Sequence, residues 1–211
     1  MTHNIININD TYYCIISRDC LGFNYYKLIG KQYITPTVGN CMKIPDFVYF
    51  CKNFNELKLK TLTKKDNTST KYPIGEYPDE PMSIHFVHSK ENGDILKWNY
   101  RITRIPDNND IVYFFINDFD LGNLNNKPLY EYFNEFLSIP YGHKVIFCKK
   151  DTYNNILQNK LNLDNIYDKN LVIVCSNNAN ELWDKFHKKS LLLEIIFTKT
   201  GIYDLEKNEF K

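Results

Sequence analysis

The run Ile111-Val-Tyr-Phe-Phe-Ile-Asn117 is apolar at successive positions up to its last residue, and Asp118-Phe-Asp120 follows directly. Successive side chains of a strand point to opposite faces of the sheet, so an unbroken apolar run predicts a strand that is covered on both faces. Its short length favours a strand over a helix. The run therefore predicts an interior strand of a parallel sheet that has helices on both faces.

Similar runs recur along the chain and alternate with helical patterns. The other predicted strands are residues 12–17, 83–88, 144–148, 171–175 and, more weakly marked, 193–198. Apolar residues at helical spacing predict helices over 46–57, 92–105 and 128–137, with shorter ones at 20–28, 152–161 and 180–189. The polar stretch 61–77 predicts a loop. Alternating strands and helices predict an α/β fold of three layers, a mostly parallel sheet flanked by helices, in a single domain over residues 1–211.

Composition and charge exclude several classes of protein. Hydrophobic residues make up 43% of the chain and charged residues 24%, so we expect a packed core rather than a disordered chain. The net charge of +1 argues against a nucleic-acid partner bound through counterion release. No apolar run approaches the ~20 residues of a membrane helix, and the first residues do not resemble a signal peptide. We therefore expect a cytoplasmic protein with no transmembrane segment and no nucleic-acid partner.

The six cysteines form no C-x-x-C pair, so a zinc ribbon or a redox motif lacks its first requirement. Several of them, such as Cys14 and Cys175, lie inside apolar runs. We interpret them as reduced core cysteines of a cytosolic protein, with a disulfide framework as the alternative.

Polar residues follow most of the predicted strands, and in open α/β sheets ligands bind beyond the carboxyl ends of the strands. The turn that leads into the helix after Cys20 is expected to expose backbone N–H groups, which bind anions. The predicted substrate-binding residues are Ser17, Arg18, Gly22, Lys90 and Asn117. They predict a polar cleft for a sugar, a phosphate or both, and ordinary surface loops are the alternative. No G-x-G-x-x-G or P-loop motif is present, so a dinucleotide or a Walker-type ATP site is poorly supported.

Asp118 and Asp120 form the Asp-x-Asp pattern with which many glycosyltransferases hold a divalent cation and a sugar diphosphate. Mg²⁺ and Mn²⁺ take carboxylate oxygens as ligands, so these cations are the expected cofactors. The alternative is a solvated turn or an acidic helix cap.

Three residues are candidates for catalysis. His88, at the end of a predicted strand, and Asp19 are candidates for acid–base work. His85 lies three positions before His88, so on a strand the two point to opposite faces and do not share a metal ion. Cys20 is a candidate nucleophile, because a thiol at a helix N-terminus has a lowered pKa.

A series of short blocks between residues 11 and 150 carries a family resemblance. The blocks are Cys14-Ile-Ile-Ser17-Arg-Asp-Cys20-Leu-Gly22-Phe and residues 35–39, 45–50, 72–75, 84–88, 97–104, 115–120 and 144–148. In this order they resemble a bacterial family of unknown function whose members are often described as exopolysaccharide-biosynthesis proteins (domain of unknown function nineteen-nineteen). This chain departs from the pattern at Arg18-Asp19, where paired amides are usual, and at Phe23, where a second Gly is common. Residues 151–211 match the family loosely.

The resemblance implies a cytosolic α/β protein of surface-polysaccharide synthesis, and together with Asp118 and Asp120 it favours a sugar-nucleotide-dependent glycosyltransferase. Arg18 and Lys90 would then neutralise phosphate charge, with His88 or Asp19 as the base. A second hypothesis is a non-catalytic glycan-binding or assembly module that stacks sugars on aromatic rings, the candidates being Tyr25, Tyr26, Tyr33, Tyr72, Tyr77 and Trp98. A third is an acyl or pyruvyl transferase that acts on a sugar through Cys20. The oligomeric state stays open.

Overall fold

The structure is a computed structural model, and it describes residues 13–66, 70–89, 93–105, 111–117, 127–157, 171–177 and 200–210. Its main feature is a six-stranded sheet in the order β1-β5-β6-β7-β8-β9. The strands are β1 (Cys14–Ser17), β5 (Ile111–Asn117), β6 (His143–Lys149), β7 (Leu171–Ser176), β8 (Gly201–Asp204) and β9 (Glu209–Phe210). All neighbours are parallel except β8 and β9. The predicted mostly parallel α/β fold is confirmed.

Helices cover both faces of this sheet, because its strands are apolar on both. The helices are α1 (Leu21–Ile29), α2 (Ile44–Lys52), α3 (Phe54–Leu57), α4 (Gly93–Ile102) and α5 (Leu129–Leu137). A single turn without buried residues, α6 (Lys150–Thr152), is followed by a π-helical turn at Tyr153–Leu157. On one face α2 and α5 pack against Phe115 of β5, and α3 and α4 belong to the same core; on the other face α1 packs against Ile15. These three layers agree with the prediction.

A second, antiparallel sheet contains β2 (Thr63–Lys64), β3 (Ile74–Glu76) and β4 (Ser83–His85). Two expectations are therefore wrong: residues 61–77 contain two strands, and the strand predicted at 83–88 is shorter and lies outside the parallel sheet. In β4 only the central residue, Ile84, is fully buried. A strand with one covered face pairs in this antiparallel way, whereas the strands of the parallel sheet are buried on both faces.

Side-chain hydroxyls satisfy the outer edge of β1, which stands at one end of the sheet order among the described strands. The Ser17 N–H donates to Thr37 Oγ1 at 3.0 Å, and that hydroxyl donates to the Ile15 carbonyl at 3.1 Å. The Tyr26 hydroxyl accepts from the Ile15 N–H at 3.0 Å and donates to the Tyr13 carbonyl at 2.9 Å. These bonds replace a neighbouring strand and hold the segment around Thr37 beside β1.

Several expectations concern other parts of the chain. The strand predicted at 193–198 and the helix at 180–189 lie outside the described residues, whereas β8 and β9 were not predicted. All six cysteines are free thiols, so the disulfide alternative is not supported. In the described part of the chain no helix combines the length and the apolar character needed to cross a membrane.

Candidate functional site

The carboxyl ends of the parallel strands bring polar residues to one edge of the sheet. β1 and β5 are neighbours, so Ser17 at the end of β1 and Asn117 at the end of β5 are one strand apart. Further along the same edge lie Ser176 at the end of β7 and Asp204 at the end of β8. The turn after β1, residues 17–20, which we call the β1 turn, holds three consecutive buried polar residues at this edge, Ser17, Arg18 and Asp19.

The β1 turn satisfies the N-terminus of α1 with its own side chains. Asp19 Oδ1 accepts from the Leu21 N–H at 2.9 Å, and Ser17 Oγ accepts from the Gly22 N–H at 3.3 Å. The Phe23 N–H donates to the Cys20 carbonyl at 3.2 Å. The expectation that this helix offers free N–H groups to an anion is therefore wrong, because the chain itself uses them.

Gly22 lets α1 pack directly on β1. A Cβ atom at this position would lie 2.8 Å from both Ile15 Cγ2 and Ser17 Cβ, closer than packed carbon atoms approach. A side chain here would push the helix away from the strand and break the bond between the Gly22 N–H and Ser17. This packing explains the glycine, and its predicted role in substrate binding stays a prediction.

Residues 39–42, which we call the facing segment, lie against the β1 turn. The Met42 N–H donates to the Arg18 carbonyl at 2.8 Å, and Cys20 Sγ donates to the Asn40 carbonyl at 3.5 Å. A Cβ atom on Gly39 would be 3.9 Å from His88 Cβ, so the exposed His88 stands beside this segment. The structure thus places His88 close to the facing segment. His88 was predicted to end a strand of the parallel sheet, but it lies three residues beyond β4, which belongs to the antiparallel sheet.

Three buried side chains in these two segments have polar atoms with no hydrogen-bond partner among the described residues. Arg18 is 3% exposed; its Nη1 donates to the Met42 carbonyl at 3.3 Å, but its Nε has no partner. Asp19 is 7% exposed with Oδ2 unpartnered, and Asn40 is fully buried with Oδ1 unpartnered. A buried polar atom without a partner costs ~1–3 kcal/mol of stability, so three in one place point to a function.

Burial raises the pKa of Asp19 above its ordinary value. Hydrogen bonds from Leu21 and Ser17 and the charge of Arg18 oppose this rise, because they stabilise the carboxylate. A carboxyl group with a raised pKa is a better proton acceptor than an ordinary one. The environment of Asp19 is therefore suited to acid–base work.

The Cys20 thiol is not activated by the helix. Burial raises its pKa to about 12, and the charges of Asp19 and Cys41 act in the same direction. The expected lowering of its pKa is wrong, because desolvation of the thiol raises it. The predicted nucleophilic role of Cys20 has lost its physical basis, and with it the acyl-transfer hypothesis loses its main support.

The metal ligands expected from the sequence, Asp118 and Asp120, lie outside the described residues, as does Lys90. Asn117 is described only as the last residue of β5. The described ranges contain no group of three or more His, Cys, Asp or Glu residues that could hold a metal ion. The expectation of Mg²⁺ or Mn²⁺ stays a prediction.

Most aromatic residues proposed for sugar stacking belong to the core. Tyr25, Tyr26, Tyr77 and Trp98 are buried, so they cannot stack on a bound glycan. Tyr33 is partly exposed, with the ring of Phe23 5.7 Å away and the guanidinium carbon of Arg101 5.2 Å above its ring. The expectation is therefore wrong for the buried rings, and it still applies to Tyr33 and Tyr72.

Two further features of this edge, a contact and an ion cluster, were not predicted from the sequence. Asn40 was not predicted, because only folding brings the facing segment against the β1 turn. Lys150 pairs with Asp204 and Glu206, its Nζ lying 2.9 Å from Asp204 Oδ1 and 2.5 Å from Glu206 Oε2. This ion cluster joins the end of β6 to the turn after β8.

The fold and this edge define the class: an α/β protein with a buried polar turn beyond its first parallel strand. A family model described as a domain of unknown function (DUF1919) matches residues 2–190, so the chain belongs to this family. The match includes most of residues 151–211, the part in which the resemblance was loose. None of the curated proteins matches the sequence significantly.

Proposed function

We propose that the protein is a sugar-nucleotide-dependent glycosyltransferase of surface-polysaccharide biosynthesis. The observation that carries the proposal is the set of buried, incompletely hydrogen-bonded side chains of Arg18, Asp19 and Asn40 at the carboxyl edge of β1. Sugars are bound by such combinations of charged and amide groups, because each sugar hydroxyl both donates and accepts hydrogen bonds. The family resemblance to exopolysaccharide-biosynthesis proteins supports the same proposal.

In the proposed reaction an acceptor hydroxyl attacks the anomeric carbon of the donor. The bond from the acceptor oxygen to that carbon forms, the bond from the carbon to the diphosphate breaks, and the hydroxyl proton passes to Asp19 or His88. Lys90 would stabilise negative charge on the departing diphosphate. A divalent cation on Asp118 and Asp120 would supply Lewis-acid support for the same charge.

The test is a thermal-shift screen of the purified protein against UDP-, GDP-, dTDP- and CMP-linked sugars, each with and without Mg²⁺ or Mn²⁺. Ligands that bind the native state raise the melting temperature by mass action. We expect one sugar nucleotide to give a shift that needs the metal and disappears in chelator. That donor is then incubated with candidate acceptors to detect transfer.

The matched variants are the double substitution Asp118→Asn with Asp120→Asn and, as a control, Asp94→Asn, which changes a carboxylate of an exposed ion pair with Lys97. The double variant should lose the metal-dependent shift, and the control should keep it. Unchanged binding of metal and sugar nucleotide by the double variant would refute the metal assignment. No shift with any sugar nucleotide would refute the donor class.

A non-catalytic glycan-binding module is the second candidate, favoured by the partly exposed Tyr33 between Phe23 and Arg101. The guanidinium above one face of this ring would donate to sugar hydroxyls, and the exposed part of the ring would contact the apolar face of the sugar. Glycan binding that persists in chelator, without turnover, and that Tyr33→Ala abolishes would favour this candidate over the transferase.

A further inference from the structure

We infer that the β1 turn and the facing segment together form a subsite for the neutral hydroxyl groups of a sugar, and that phosphate groups of the substrate bind elsewhere. The inference rests on the proposed function and names the part of the substrate that this end of β1 recognises. Some hydrogen-bonding atoms of these two segments have partners within the chain, and others have none among the described residues.

The N–H groups at the start of α1 are not available to a phosphate. The N–H groups of Leu21 and Gly22, which begin α1, already donate to Asp19 and Ser17. The Asp19 carboxylate thus occupies the place where a helix N-terminus would bind an anion. When ionised it also repels a phosphate, because like charges at short range in a buried site interact strongly. An anion would find little more than the Arg18 side chain there.

The side-chain atoms without a hydrogen-bond partner among the described residues are both donors and acceptors. Arg18 Nε is a donor, whereas Asp19 Oδ2 and Asn40 Oδ1 are acceptors. A phosphate oxygen accepts hydrogen bonds, so a phosphate dianion could satisfy only the donor. A sugar hydroxyl donates one hydrogen bond and accepts others, so neighbouring hydroxyls could satisfy a mixed set of this kind. The unused atoms therefore match a polyol better than an anion.

Hydrogen bonds within the chain hold the facing segment in place. The Met42 N–H fixes the facing segment to the Arg18 carbonyl, and Asn40 Nδ2 donates to the Pro36 carbonyl at 3.4 Å. The hydroxyl of Thr37, two residues before the facing segment, accepts one hydrogen bond from the backbone of β1 and donates another to it. The side chains thus need little ordering when a ligand binds, which lowers the entropy cost of binding a small neutral molecule.

The test uses saturation-transfer difference NMR with free glucose, galactose, mannose, rhamnose and N-acetylglucosamine, and with inorganic phosphate as competitor. The test variant is Asp19→Asn, which keeps an oxygen for the Leu21 N–H but replaces the unpartnered acceptor with a donor. The matched control is Asp46→Asn, which changes a half-buried carboxyl group on α2. We expect at least one sugar to bind, phosphate not to displace it, and Asp19→Asn to weaken binding about tenfold or more while Asp46→Asn leaves it unchanged.

Three results would overturn the inference: no sugar binds the wild-type protein, phosphate displaces the bound sugar, or Asp19→Asn binds the sugar as tightly as the control. The phosphate competition uses the wild-type protein, so it tests the inference even if Asp19→Asn does not fold. Failure of the proposed function looks different. Sugar binding that Asp19→Asn weakens, without any transfer from a sugar nucleotide, would refute the transferase and leave the subsite standing.

Discussion

Asp19 accepts the Leu21 N–H at 2.9 Å through one carboxylate oxygen, while its other oxygen is buried and has no partner among the described residues. One oxygen therefore caps helix α1, and the other is a buried acceptor whose hydrogen-bonding capacity is unused. The same residue thereby links the local structure of the chain to the site. Arg18 repeats the arrangement, since its Nη1 bonds the Met42 carbonyl and its Nε has no partner within the described ranges.

The contact between α1 and β1 predicts that Gly22→Ala destabilises the fold. The new Cβ atom would lie 2.8 Å from Ile15 and Ser17, so the helix must shift, at a cost of about 1–3 kcal/mol in the free energy of unfolding. Urea denaturation measures this change. Gly93→Ala is the control, because its Cβ meets no atom within 4 Å and the substitution should be neutral or stabilising. Equal stability of the two variants would contradict the close packing.

The hydroxyl bridge on β1 predicts that Thr37→Val is costly despite its similar size. It leaves the buried Ser17 N–H and Ile15 carbonyl without their partner, so the free energy of unfolding should fall by about 2–4 kcal/mol. Thr37→Ser keeps the hydroxyl and should lose about 1 kcal/mol or less through the missing methyl group. Chemical denaturation of both variants checks this, and a Val variant as stable as the Ser variant would show that the bridge contributes nothing.

Burial of Asp46 predicts a dependence of stability on pH. Its pKa is raised to about 6 in the folded protein, so between about pH 4 and 6 the folded state binds a proton that the unfolded state releases. This contribution to stability is present below that window and is lost as the pH rises through it, by about 1–3 kcal/mol.

The comparison of wild type with Asp46→Asn isolates this contribution. Because Asn does not titrate, the variant should gain stability relative to wild type from pH 4 to pH 7. Unfolding free energies at both pH values measure the difference. A constant difference, or a relative loss by the variant, would show that the pKa of Asp46 is not raised in the folded state.

The raised pKa of Cys20 predicts slow alkylation. At pH 8 its thiolate fraction should be about 100- to 1,000-fold lower than in the unfolded chain, so iodoacetamide should modify it correspondingly slowly. Peptide mass spectrometry follows the residue individually, with the urea-unfolded protein as the control. Rapid modification of Cys20 in the folded protein would restore the nucleophile hypothesis.

The sequence predicted the parallel sheet well where its signal is strongest. The apolar run at β5 has the predicted bounds, because residues 111–115 are buried on both faces of the sheet and are all apolar or aromatic. β8 was missed since only Ile202 and Tyr203 in it are apolar between a glycine and an aspartate. β4 was assigned to the wrong sheet because a short apolar run does not show which strand it pairs with.

Local sequence also predicted part of the site. Ser17, Arg18 and Asp19 follow a strand, so their position at the carboxyl edge could be predicted from local sequence. The contact of Asn40 with Cys20 spans a helix and a loop, and the capping of α1 by Asp19 depends on the conformation of the turn. The first leaves no pattern in the sequence, whereas Asp19, directly before the predicted helix, is of a residue type that often caps helices. Burial reversed the expected pKa shift of Cys20, and burial is a property of the fold.

The central claim is that the substrate binds at the β1 turn and the facing segment. Hydrogen–deuterium exchange tests it most directly, with and without the sugar nucleotide that gives the largest shift in the thermal screen. We predict that the bound ligand slows exchange at residues 17–24 and 38–42. Protection confined to other segments, such as the turn after β8, with these two unchanged, would contradict the claim.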